Sequence, residues 1–148
     1  MLQRNLSGWP HRISIRQAAL GGHSGVGLVV DGGRRSVDHR VELVEGPGDA
    51  AAGQLRVPIT TLEELMASVD ADQIDLLKMD IEGSEHDVFR ELEPGSLKRI
   101  KKMALEYHDN LRPGTLEIIQ RAIAATHTVV SMDGSSEGYG ILRAVAKG

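Results

Sequence analysis

The segment Lys78-Met79-Asp80-Ile81-Glu82-Gly83-Ser84-Glu85 sets charged side chains inside and just beyond an otherwise apolar run. An uncompensated charge in such a place is costly, so these groups must pair with one another or serve a ligand. Read as a strand, the segment puts Lys78, Asp80 and Glu82 on one side, with both acids near its carboxyl end. The stretch at 100–108 repeats the arrangement: Ala104 and Leu105 are apolar, Glu106 and His108 alternate at the end, and Asp109 follows. In open α/β sheets, ligands bind beyond the carboxyl ends of the strands. Two neighbouring strands of this kind would therefore point acids and an imidazole into one crevice, a set able to exchange protons with a bound substrate. The structural alternative is an ion-pair network, with Glu82 and Glu85 only feeding a helix N-terminus with negative charge. A divalent metal on Asp80, Glu82, Glu106 and His108 suits the ligand chemistry. No spaced histidine motif supports it, and no metal is assigned.

Other motifs carry less. The run Gly21-Gly22-His23-Ser24-Gly25-Val26-Gly27 follows a strand, but a phosphate loop should open a helix, and Leu28-Val29-Val30 continues as a strand. A hairpin turn accounts for it better. Lys98, Arg99, Lys101 and Lys102 form a basic cluster without interleaved aromatics, expected to be a solvated connection. His11, His23, His39 and His127 have no acidic or hydroxyl partner at a telling spacing and are expected at the surface or in turns. His86 falls within the helix after the Glu82 turn.

The elements that must position these residues follow from periodicity. Residues 2–6 read as a helix end stopped by Ser7-Gly8-Trp9-Pro10. Residues 12–16 alternate with period two, the pattern of a strand that continues to Leu20. Residues 26–30 and 41–44 read as a surface hairpin or meander around Asp31-Gly32-Gly33, and 46–53 as a loop. Thr61-Leu62-Glu63-Glu64 has the form of a capping box and predicts a helix to about Val69. Residues 74–81 predict a strand buried on both faces, Ser84 caps a helix to Leu92, and Glu93-Pro94-Gly95 stops it. A strand at 100–108, a helix at 115–125, a strand at 128–132 and a terminal strand at 139–145 complete the chain. Strand and helix alternate with short connections, which predicts a parallel sheet with helices on its faces and one antiparallel member at the end.

Composition narrows the function classes. At 148 residues, one domain that buries a core without disulfides is expected. The net charge of −4 offers no surplus for a nucleic-acid backbone, which excludes that partner class. The absence of cysteine fits a reducing, cytoplasmic setting. Polar Gln3, Arg4, Asn5 and Ser7 break the apolar stretch a signal peptide needs, and no run reaches membrane-spanning length, so no membrane partner is expected.

In order and spacing, Val57-Pro58-Ile59-Thr60-Thr61-Leu62, then the 76–85 segment, then Ala104-Leu105-Glu106-Tyr107-His108, resemble the FkbM-type methyltransferase domain. Leu2-Gln3-Arg4-Asn5-Leu6 and Gln17-Ala18-Ala19-Leu20-Gly21 look like the helix end and post-strand loop that precede these motifs there, so the resemblance covers essentially the whole chain. It implies a class I methyltransferase fold, a Rossmann-like, mostly parallel sheet with an antiparallel last strand. It also implies transfer of a methyl group from S-adenosylmethionine to a hydroxyl of a small-molecule or sugar acceptor. By the resemblance, Asp80 lies near the donor's methionine end, and Ala18 and Ala19 near its adenine. Chemistry makes His108 the candidate base, oriented by Glu106, while Glu82 and Glu85 hold the acceptor or support the site. The family's glycine loop and its ribose-holding acid belong ahead of Leu2, so residues 1–148 read as the carboxyl-terminal part of such a domain. The expectation is then of exposed apolar sheet edges that favour self-association or a complementing chain. A noncatalytic binding module on the same fold is the alternative.

Overall fold

The computed structural model describes residues 13–31, 39–43, 55–69, 71–93 and 95–148. The expected helix end and stop at 2–10, the turn glycines at 32–33 and the loop at 46–53 lie outside them.

Among the described residues, eight strands and three helices form a mixed α/β structure with two four-stranded sheets. The first sheet comprises β1 (Ala19–Leu20), β2 (Gly25–Asp31), β3 (His39–Leu43) and β4 (Leu55–Thr60), ordered β1-β4-β2-β3. The expected hairpin is present, with β2 antiparallel to β3, and β4 closes on the other side of β2. Residues 13–18 are not in a strand: Ile13 and Ile15 are 45% and 40% exposed, and only Ala19 and Leu20 pair, parallel to β4. Alternation without a neighbouring strand or a face to bury does not make a ladder.

Helix α1 (Leu62–Ala67) follows β4 and begins as expected. The Thr61 hydroxyl accepts from Glu64 N, and the Glu64 carboxylate accepts from Thr61 N. Leu62 and Met66, four residues apart, enter the core from one face. The second sheet comprises β5 (Leu77–Met79), β6 (Lys102–His108), β7 (His127–Gly134) and β8 (Tyr139–Ala146), ordered β5-β6-β8-β7. Helix α2 (Glu85–Glu91) connects β5 towards β6 through a 3-10 turn at Ser96–Arg99, and α3 (Thr115–Ile123) connects β6 to β7. The core gathers Met79, Met103, Leu105 and Leu142 from this sheet with Val88, Phe89, Ile119 and Ile123 from the two helices.

Parallel pairing does not dominate. Among the described strands, β1 with β4 and β5 with β6 are parallel, while the other neighbours are antiparallel. Two of these antiparallel pairs lie in the first sheet, where β2 pairs with β3 and β4, and two at the chain end. After a tight turn β8 inserts between β6 and β7, so both of its flanks are antiparallel. By the same pairings β5, β6 and β7 share one direction, and β8 alone opposes them.

The strand expected at 74–81 is short, and it is not buried on both faces. Lys78 is exposed, Leu76 is 58% exposed, and Ile74 makes only an isolated bridge to Ile100. Among the described strands, β5 has a neighbour on one side only. The basic cluster is not simply solvated either. Arg99 donates to the carbonyls of Met66 in the last turn of α1 and of Ala71 and Asp72 beyond it, and Lys101 pairs with Asp75 at 2.8 Å. His127 overturns its surface assignment: it is 3% exposed, its Nε2 lies 2.8 Å from the Ile100 carbonyl, and its Nδ1 lies 2.8 Å from the Thr126 hydroxyl. Among the described residues, no helix is long and apolar enough to cross a membrane.

Candidate active site

The strand register builds the site. Met79 pairs with Leu105 across the parallel β5–β6 ladder, so the next residues, Asp80 and Glu106, emerge side by side. On β6, Met103, Leu105 and Tyr107 turn into the core, while Glu106 and His108 belong to the other alternation. After Asp80 the chain turns through Glu82, at φ 51°, and Gly83, at φ 91°, before α2 begins. This left-handed pair bends the chain back so that the first residue of α2, Glu85, lies under the turn and beside His108.

Glu85 is fully buried. Its Oε1 accepts from Ile81 N at 2.9 Å and lies 3.2 Å from His108 Nδ1, and its Oε2 accepts from Gly83 N at 2.7 Å. Burial raises the Glu85 carboxyl, but the His108 and backbone hydrogen bonds outweigh it and hold the group below the usual carboxylate range. An ionised carboxylate can only accept, so the proton between the two groups sits on Nδ1. The Ser84 hydroxyl, expected as the cap of α2, makes no cap hydrogen bond.

His108, 6% exposed, turns its Nε2 to the carboxylates, with Glu82 Oε2 at 3.6 Å and Glu106 Oε1 at 3.9 Å. The expected orienting partner, Glu106, thus lies on the Nε2 side, and the hydrogen bond to Nδ1 comes from Glu85. The Glu85 hydrogen bond raises the His108 pKa; burial opposes it, and the charges of Glu85, Glu82 and Glu106 add to the rise. Glu106 is itself pushed up, first by burial and then by the Asp80 charge, with His108 partly compensating. Asp80 lies 3.8 Å from Lys78, a pair open to solvent and of little energetic weight. One ligand atom from each of Asp80, Glu82 and His108 falls within 4.8 Å of the others, a spacing that a hard divalent cation could bridge. A protonated His108 supplies positive charge to the same carboxylates. Asp109, expected near the crevice, instead accepts from Leu116 N in the first turn of α3.

A second concavity opens between the end of β1 and α2. It is lined by Ala19, Leu20, Gly21 and Gly22 on one side and by Ser84, Asp87 and Glu91 on the other. Both expected alanines are half-buried here, Ala19 in the lining and Ala18 one residue upstream. Asp87 is held by Arg90 at 3.4 Å, an i,i+3 helix pair, and by Arg112 at 3.0 Å, 25 residues away and at no spacing that announces it.

The family model of the methyltransferase FkbM domain matches residues 13–125. The chain belongs to the FkbM methyltransferase domain family. No curated protein and no solved structure matches it significantly. The matched span of the FkbM domain contains both the acid–imidazole cluster and the β1–α2 cleft. It ends just after α3, leaving β7 and β8 beyond it. The motifs at 57–62, 76–85 and 104–108 that carried the resemblance all lie within it.

Proposed function

We propose that this FkbM domain transfers a methyl group from S-adenosylmethionine to a hydroxyl oxygen of a small-molecule or sugar acceptor, with His108 as the base. The observation that carries the reading is the His108 ring, held by Glu85 on Nδ1 and facing the Glu82 and Glu106 carboxylates with Nε2, with Asp80 in the same cluster. The common direction of β5, β6 and β7, with β8 reversed between two of them, supports a class I methyltransferase sheet over a single domain spanning the chain.

The described residues suit the adenine and methionine ends of the donor. The β1–α2 cleft offers the apolar side chains of Ala19, Leu20 and Ile59 to a flat base and the carboxylates of Asp87 and Glu91 to an exocyclic amine. Asp80, at the end of β5, offers a carboxylate to the ammonium of the methionine part. When bound, S-adenosylmethionine supplies a methyl group already activated by its sulfonium, so the protein chiefly aligns the acceptor and removes a proton. His108 Nε2 accepts that proton from the hydroxyl, and the Glu85 carboxylate stabilises the resulting imidazolium through Nδ1–H. Glu82 and Glu106 hold further hydroxyls of the acceptor by accepting hydrogen bonds. A cytoplasmic setting fits the cysteine-free chain. Self-association through exposed strand edges fits Val130 and Met132 of β7, which are 57% and 49% exposed.

Calorimetric titration with S-adenosylmethionine and its demethylated product tests the reading. Saturable binding is expected, weakened about tenfold or more by Asp80→Ala, which corresponds to about 1.4 kcal/mol. A folded protein that binds neither compound would sink the proposal.

A further inference from the structure

We infer that Glu85 is the positioning residue of this site: one buried carboxylate fixes the His108 ring as the Nδ1–H tautomer and also clamps the turn that carries Glu82. For methyl transfer, this inference rests on the reading of His108 as proton acceptor.

The geometry is specific. A carboxylate in the first turn of a helix ordinarily faces solvent and interacts with the helix dipole. Glu85 instead points back and inward, with no exposed surface, and accepts from the amides of Ile81 and Gly83, four and two residues before it. Those amides flank Glu82, the one described non-glycine residue with positive φ. The two hydrogen bonds therefore hold Glu82 in a conformation that L-residues seldom adopt, and they set its carboxylate 3.6 Å from His108 Nε2. The third donor is the ring itself. Which nitrogen of a neutral imidazole carries the proton is set by the hydrogen bond that the other makes. With Nδ1–H given to Glu85, Nε2 keeps its lone pair and faces the open side of the site. The charged groups around the ring divide accordingly: Glu85 from α2 on the Nδ1 side, Glu82 from the turn and Glu106 from β6 on the Nε2 side.

A carboxylate that served only to close the turn would leave the tautomer of His108 unaffected. Long-range proton–nitrogen NMR correlation on the 15N-labelled chain, with His108 assigned by its loss in His108→Gln, reads this directly. At a pH above the titration of the ring, the spectrum should show a protonated Nδ1 and a bare Nε2. In Glu85→Gln the side chain keeps only one oxygen for three donors, and the ring should move to the Nε2–H form or a mixture. A wild-type ring in the Nε2–H form overturns the inference, as does an Nδ1–H ring that persists in folded Glu85→Gln. Should that variant not fold, the wild-type spectrum alone decides. Donor titration separates the two readings. A chain with Nδ1–H at His108 that binds no S-adenosylmethionine keeps the positioning role and loses methyl transfer, and a donor-binding chain with Nε2–H does the reverse.

Discussion

The Glu85–His108 pair is a buried charge pair whose partners have pKa values moved in opposite directions. The folded-state pKa of Glu85 lies below the ordinary glutamate value of 4.5, so its contribution to stability is present above 4.5 and is lost as pH falls through the folded value. His108 is raised above 6.5, so its contribution is complete below 6.5 and is lost as pH rises through its folded value. The pair therefore stabilises the fold most on the mildly acidic side of neutrality. Comparing urea unfolding of the wild type and His108→Gln across pH isolates the effect. The stability difference should shrink as pH rises from below 6.5 through the raised folded-state value of His108. A pH-independent difference would mean that His108 contributes only packing. At this scale the sequence was half informative. It brought Asp80, Glu82, Glu106 and His108 together through strand alternation. It could not show that Glu85, 23 residues from His108, would be the group on Nδ1, because that contact depends on how tightly the 80–85 turn bends.

The turn between β5 and α2 is the element on which this arrangement depends. Gly83 has φ 91°, and a Cβ there would lie 3.2 Å from Leu111 Cβ. Gly83→Ala therefore combines left-handed backbone strain with a tight contact, and a loss of about 1–2 kcal/mol is expected. Chemical denaturation checks the value, and a change under about 0.5 kcal/mol would mean that the turn relaxes without strain. The elements best read from sequence were those whose signal is local: the Thr61 capping box, the hairpin and the strands around the final turn. Residues 13–16 and β5 were read less well, because a period-two pattern states which faces differ and not whether a neighbouring strand is there to pair with. His127 was misplaced for a similar reason. Its partner, the Ile100 carbonyl, is 27 residues away and lies at no recognisable spacing.

At the scale of the molecule, the two sheets approach each other where the β1–β2 connection meets α2, and Gly22 is the point of closest approach that the glycines reveal. A Cβ on Gly22 would fall 2.7 Å from the Asp87 carbonyl and 2.9 Å from Glu91 Cγ. Across the same gap, His23 and Glu91 form an ion pair at 3.8 Å, with the histidine side chain 67% exposed, too weak a tie to hold the walls together alone. Any side chain at position 22 must then push the connection away from α2 and reshape the cleft that Ala19 lines, while the core beneath β6 and α3 is untouched. If this cleft receives the adenine, Gly22→Val should weaken binding of S-adenosylmethionine and its demethylated product by about tenfold or more. The unfolding free energy should fall by only about 1 kcal/mol, the low end for overpacking, because the half-buried connection can move off α2 without disturbing the core. Unchanged affinity would move the adenine elsewhere and leave the acid–imidazole cluster as the only part of the proposed pocket still standing. Affinity and stability lost in proportion would mean that the two sheets fold as one unit through this contact. In that case Gly22 serves the packing of the domain rather than the shape of its cleft.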